Sequence, residues 1–216
     1  MRSSRALMAT IALLGAPATS AAQVPWESPQ LLAPGTQPGV SLLFVDYGMR
    51  PFDGTGLLLT YRGATAPRGI GLRLSATLPQ EDDVRISGGF DVAVPMFSHS
   101  ATFPLDVIWT SGFGAGYGDY YTVGLPVGVS ASREVGGGNI VLRPYTSARV
   151  VLEGFFGPNH PQETFALALA ADVGTDLSLR SAPWVLLRTG VSLGDRRALA
   201  IGLQVVPQAG VRTASR

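Results

Sequence analysis

Few residues in this chain could do bond-making chemistry. Histidine occurs twice, in Ser98-His99-Ser100 and in Pro158-Asn159-His160-Pro161. A hydroxyl nucleophile and its histidine base must meet on one face, and residues adjacent on a strand point to opposite faces. Neither serine beside His99 therefore suits that role, and the segment reads as a loop between strands. His160 reads as a surface turn between prolines. Two lone histidines without neighbouring carboxylates do not compose a metal site. Glu81-Asp82-Asp83 is a short acidic run at a strand junction, far from the six or more oxygens that calcium takes, and reads as a solvated turn. Gly136-Gly137-Gly138 lacks the Lys and following helix of a phosphate loop. There is no cysteine, which excludes disulfides, thiolate metal sites and a thiol nucleophile. No cofactor or metal is expected.

What remains is a set of charges with a pattern: Arg62, Arg73, Arg85, Asp91, Asp106, Arg143, Arg149, Asp172 and Arg188. Each falls among Gly, Ala, Ser and Thr, one step out of phase with a row of large apolar residues. The elements that impose this phase are strands. Ile70, Leu72, Leu74, Ala76 and Leu78 alternate with Gly71, Arg73, Ser75 and Thr77. Tyr121, Val123, Leu125, Val127 and Val129 alternate with Thr122, Gly124, Gly128 and Ser130, and Phe165 to Val173 repeats the pattern against Ala166 to Asp172. Such period-two runs are strands with unlike faces. Similar runs cover 84–94, 105–114 and 199–205, and weaker ones cover 40–48, 54–62, 139–153 and 184–194, giving ten. Turn signals separate them, among them Asp53-Gly54, Gly116 to Asp119, Gly157-Pro158-Asn159 and Gly194-Asp195. Pro126 and Pro144 fall within two of these segments, where a proline removes a ladder hydrogen bond, and they are read as marking strand starts.

The N-terminus has the order of a secretory signal: Arg2 and Arg5, an apolar stretch from Ala6 to Gly15, then Ser20-Ala21-Ala22 before Gln23. The organisation expected is a signal peptide over 1–22, a linker over 23–39, a barrel domain over 40–206 and a tail over 207–216. No later window offers the ~18 consecutive apolar residues of a spanning helix. Apolar residues reach 46% while charged ones are only 14%, against ~25% in soluble domains, and all 16 basic residues are Arg. A net charge of +1 without a basic run argues against nucleic acid as a partner. An exported, strongly apolar chain of alternating strands fits an all-β antiparallel up-and-down transmembrane barrel of 8–10 strands. Its apolar face meets lipid and its charges fill the lumen as a structural network, because a charge facing mid-bilayer costs ~2–4 kcal/mol. Trp109, Tyr117, Tyr120, Tyr121, Tyr145, Phe155, Phe156 and Trp184 supply partial interfacial girdles.

The signal sequence and the Gly-interspersed strands, with Leu125-Pro126-Val127-Gly128-Val129-Ser130 and Arg143-Pro144-Tyr145, resemble the small bacterial outer-membrane barrels that include the OmpA-like and OmpW-like proteins. The likeness spans about 40–206. It implies an integral outer-membrane barrel with a structural or narrow-pore, porin-like role, non-enzymatic, with outer-membrane lipid and the barrel-insertion machinery as partners. Members commonly finish on a strand with a terminal aromatic, whereas here the last strand closes near Val206. Two other readings differ in kind. A secreted, soluble, lipocalin-like barrel would turn the apolar face inward around a lipid or other small apolar ligand. A lipid-modifying barrel enzyme would need a polar triad at one rim.

Overall fold

A computed structural model describes residues 34, 37–47, 54–63, 69–79, 84–118, 120–158, 164–195 and 197–207. The expected signal peptide, most of the linker, the tail beyond 207, His160 and Glu81-Asp82-Asp83 lie outside the described residues.

The described chain is all strand and turn. In order it forms β1 (Gly39–Asp46), β2 (Gly54–Arg62), β3 (Gly69–Pro79), β4 (Arg85–Phe97), β5 (Asp106–Tyr117), β6 (Tyr121–Ser132), a short β7 (Val135–Gly137), β8 (Ile140–Phe156), β9 (Phe165–Leu179), β10 (Ala182–Gly194) and β11 (Ala198–Val205). Each long strand pairs antiparallel with the next. The ring closes because β1 pairs with β11, from Val40↔Val205 to Asp46↔Leu199, and β6 pairs across to β8. β7 is a side ribbon hydrogen-bonded to the start of β8, so the wall has ten strands. Closure leaves none of the ten wall strands at an open edge, and only the three-residue β7 pairs on one side alone. The strand number is thus ten rather than eight. The Ala/Leu run at 164–171, helical on propensity alone, lies in β9 because its large and small residues alternate.

Pro126 and Pro144 sit inside β6 and β8, contrary to the expectation that they mark strand starts. The ladder yields locally instead. Between β5 and β6 the pairing jumps from Ser111↔Val127 to Gly114↔Gly124, over the stretch that holds Pro126 with its missing N–H.

The faces of the wall are inverted relative to a soluble barrel. On β3 the outward Leu72 and Leu74 are 53% and 54% exposed, whereas the inward Arg73, Ser75 and Thr77 are buried. The same holds around the ring, where Leu42, Leu59, Phe90, Leu125, Leu167, Val173, Ile201 and Leu203 all face outward. The soluble lipocalin-like orientation, with the charged face wet and the apolar face inside, is therefore not the one adopted.

The interior is filled by side chains. Leu43, Val45, Tyr47, Leu58, Tyr145, Ala198 and Ala200 form one apolar cluster, and Tyr120, Val151, Phe155 and Ala168 another. Tyr120, Tyr145 and Phe155 thus pack the lumen and do not join a girdle. Trp109, Tyr117, Tyr121, Phe156 and Trp184 are exposed on the wall. Space for the Tyr145 ring comes from Gly174, its direct neighbour on β9. A Cβ on Gly174 would lie 2.3 Å from the Tyr145 hydroxyl oxygen and 2.3 Å from the Thr189 carbonyl oxygen, so no larger residue fits there without displacing the wall.

The segment before β1 is tied to two distant strands at the rim where both ends of the barrel emerge. The Ser132 hydroxyl on β6 donates to the Pro34 carbonyl at 3.1 Å, and Gln204 Nε2 on β11 donates to the Gln37 carbonyl at 2.8 Å.

Candidate functional site

The alternation that builds the wall also decides what the lumen contains. All nine charges singled out above project from the inward-facing positions of their strands. Arg149 and Asp172 lie near the middle of β8 and β9. Arg149 Nε donates to Asp172 Oδ2 at 3.0 Å and Nη2 to Oδ1 at 3.2 Å, a two-point pairing. The Ser147 hydroxyl also donates to Asp172 at 2.8 Å, and Arg149 Nη2 donates to Ser192 on β10 at 3.1 Å. The two side chains are 1% and 0% exposed. Registration places Ser147 directly opposite Asp172, so Arg149 reaches its partner along the diagonal.

A second pair stands beside it. Arg188 on β10 is directly opposite Asp176 on β9 and grips both carboxylate oxygens, at 2.9 and 2.8 Å. Arg188 Nη1 also donates to the Ser41 hydroxyl at 3.4 Å, which in turn donates to Gln204 at 3.4 Å, carrying the network across the closing seam onto β1 and β11. On the β2–β4 wall, Arg62 pairs with Asp91. These two are two strands apart, and the residue between them on β3 is Gly71. A Cβ there would fall 2.5 Å from Arg62 Nη2 and 2.6 Å from Asp91 Oδ1, so glycine leaves the gap through which the pair meets. Arg73, one ladder step away on β3, is buried in the field of Asp91, Arg62 and Arg149, which brings the charges of the two walls together.

The remaining members lie nearer the rims. Arg85 opens β4 and is half-buried. Asp106 opens β5 and accepts from His99 through both the backbone N–H and Nδ1, each at 2.9 Å. Arg143, near the start of β8, donates to Glu134 at 2.6 Å. His99 is therefore not without a neighbouring carboxylate. The β4–β5 connection folds back so that residue 99 meets residue 106, a contact that strand periodicity cannot reveal. No cluster of three or more metal-ligating side chains exists among the described residues.

Two buried acids belong to this interior but escape the sequence reading. Asp176 continues the inward phase of Asp172 beyond the segment first assigned to the strand. Glu153, 1% exposed, lies at the very end of the expected 139–153 segment, whereas β8 runs on to Phe156. Extending each alternation by a few residues finds both.

Taken together, Ser41, Asp91, Thr110, Ser130, Ser147, Arg149, Asp172 and Arg188 are all 4% exposed or less. A water-filled path along the axis would have to touch side chains of this middle zone. Their burial means that the lumen is packed shut there, with Arg62, Arg149 and Arg188 each paired to a carboxylate, Asp91, Asp172 and Asp176 in turn. The arrangement can hold a barrel closed and rigid.

No protein-family model matches the chain, and no curated protein sequence is significantly similar to it. Among solved structures, the chain is similar to a KdgM porin at 10% identity and a TM-score of 0.39, over 79% of this chain and 99% of that one. It is also similar to a chain from work on the in-meso crystallization of membrane proteins, at 11% identity and a TM-score of 0.30, over 78% and 82%. Likenesses this distant add nothing to what the geometry itself shows.

Proposed function

We propose that this protein is an integral barrel of a bacterial outer membrane, non-enzymatic, whose ion-paired lumen makes it a structural or very narrowly conducting element. The observation that carries the reading is the inverted wall: a continuous outward belt of Leu, Val, Ile and Phe around a charged, buried interior. Contiguous exposed apolar patches on soluble monomers rarely exceed a few hundred Å². Here the belt runs round the whole ring, which water would disfavour and hydrocarbon accepts. Eight of the ten wall strands have at least the ~9 residues that a tilted strand needs to cross a bilayer. Export on the signal-like N-terminus and closure of the ten-stranded wall agree with the same location.

The test is extraction and gel mobility. In a Gram-negative host the full-length chain should fractionate with outer membranes, resist urea extraction and shift in mobility when boiled in detergent. A soluble periplasmic protein with no heat shift would sink the proposal.

The role of the lumen charges has its own measurement. Wild-type protein in planar bilayers should show no steady large conductance. Replacing Arg149, Asp172, Arg188 and Asp176 together by small neutral residues should produce discrete conductance steps. If wild type and variant conduct alike, the ion pairs do not close the lumen.

A further inference from the structure

On the rim where the barrel ends emerge, a cavity of about 610 Å³ opens between the β4–β5 connection, the start of β5, the link between β6 and β7, and Arg143 on β8. That is within the ~300–1,000 Å³ range of small-molecule sites. Its lining interleaves apolar Pro34, Pro95, Phe97 and Ile108 with the charged or polar Arg133, Arg143, His99, Asp106 and Glu134.

The two carboxylates of this lining are held differently. Asp106 takes three contacts from His99, one from the backbone N–H and two from Nδ1, and is 27% exposed. Glu134 holds Arg143 by a single 2.6 Å contact, and the exposures within that pair are opposite: 15% for the guanidinium and 54% for the carboxylate. A largely buried cation, already in the field of Asp106, thus has as its contact partner an anion that stands mostly in water. A pair with one member so exposed contributes little, ~0–1 kcal/mol. Another carboxylate, arriving with an apolar body that the cavity can desolvate, can take the place of Glu134 at small electrostatic cost. Arg143 has N–H donors beyond the one given to Glu134, so the incoming group can be gripped at two points. Arg133 stands exposed beside it as a second cation.

We infer that this rim cavity binds a small organic anion, a carboxylate or phosphate on an apolar body, with Arg143 as its anchor and Glu134 as the exchangeable placeholder. Phe97 and Ile108 receive the apolar part. The exchange keeps the local charge balance, since Glu134 swings into water as the ligand arrives.

The experiment titrates full-length protein in zwitterionic micelles with 2-naphthoate by calorimetry, against a protein-free micelle blank, with naphthalene-2-carboxamide as the neutral counterpart. Saturable binding of the naphthoate alone is expected. Glu134→Gln, an exposed position whose change leaves the wall intact, should tighten it by up to about fivefold, the worth of a surface pair. Arg143→Met should weaken it at least tenfold while keeping the heat-shifted mobility of the folded barrel. Equal binding of acid and amide, no saturable binding, or Glu134→Gln binding no tighter than wild type would each overturn the inference. Inorganic phosphate binding as well as naphthoate would remove the apolar lining from the site and overturn it too.

Discussion

Asp172→Ala should destabilise the barrel by about 3–5 kcal/mol, the cost of removing one partner from a buried ion pair. Asp172 is fully buried and accepts from Arg149 at two points and from Ser147 at a third. Without it the Arg149 guanidinium stays in the packed interior and loses its carboxylate, and the Ser147 hydroxyl loses its acceptor. Urea unfolding in micelles, followed by tryptophan fluorescence, should show the midpoint falling with the slope unchanged. The companion variant sharpens the point. Replacing Asp172 by Leu and Arg149 by Met together should be neutral or stabilising by ~1–4 kcal/mol, because no charge then has to be desolvated. A loss below ~1 kcal/mol in Asp172→Ala would mean that water reaches Arg149 and that the lumen is open, in conflict with the residual exposure of that zone.

The second large effect lies on the other face. Leu72→Arg, outward near the middle of β3, should cost ~2–4 kcal/mol for protein unfolded from lipid vesicles. Leu72 is 53% exposed, so the same change on a water-facing surface would stay within about 0.5 kcal/mol. Leu78→Arg, at the end of β3 by the rim, should cost only ~0–1 kcal/mol, since the penalty falls towards the interface. The contrast between the two positions is the measurement. Equal, small losses at both would place the outward belt in water.

The strands and their phase were legible because large outward residues and small inward ones alternate without interruption. In β3, in β6 and in the Phe165 to Val173 part of β9 the pattern alone assigns each side chain to a face, and it places Arg73 and Asp172 inside. Tyr145 and Phe155 were legible in principle, since they share the phase of Arg143 and Arg149. Reading aromatics as interfacial obscured that. Tyr120 sits in the β5–β6 turn, where there is no phase to read. β7 was invisible because Val135-Gly136-Gly137 presents turn chemistry, and its pairing depends on β8 lying alongside. The contacts of His99 with Asp106 and of Arg143 with Glu134 each join a connection between strands to a strand. Period-two patterning says nothing about such meetings. Which inward Arg meets which inward acid was likewise out of reach. That depends on register, and Arg62 finds Asp91 only because Gly71 leaves the space between them.

The seam between β1 and β11 has a consequence for how the chain is ordered along the gene. These strands are the two ends of the meander, yet they meet in an unbroken run of pairs like those inside a hairpin. Nothing in the wall records which strand is made first. Any of the connections on either rim could serve as the start of the polypeptide, with the present ends joined by a short linker, and the same ring would close. The linear order is one cut through a circular object. Behind the export signal, insertions, tags and fusion points can accordingly be chosen for the rim they occupy.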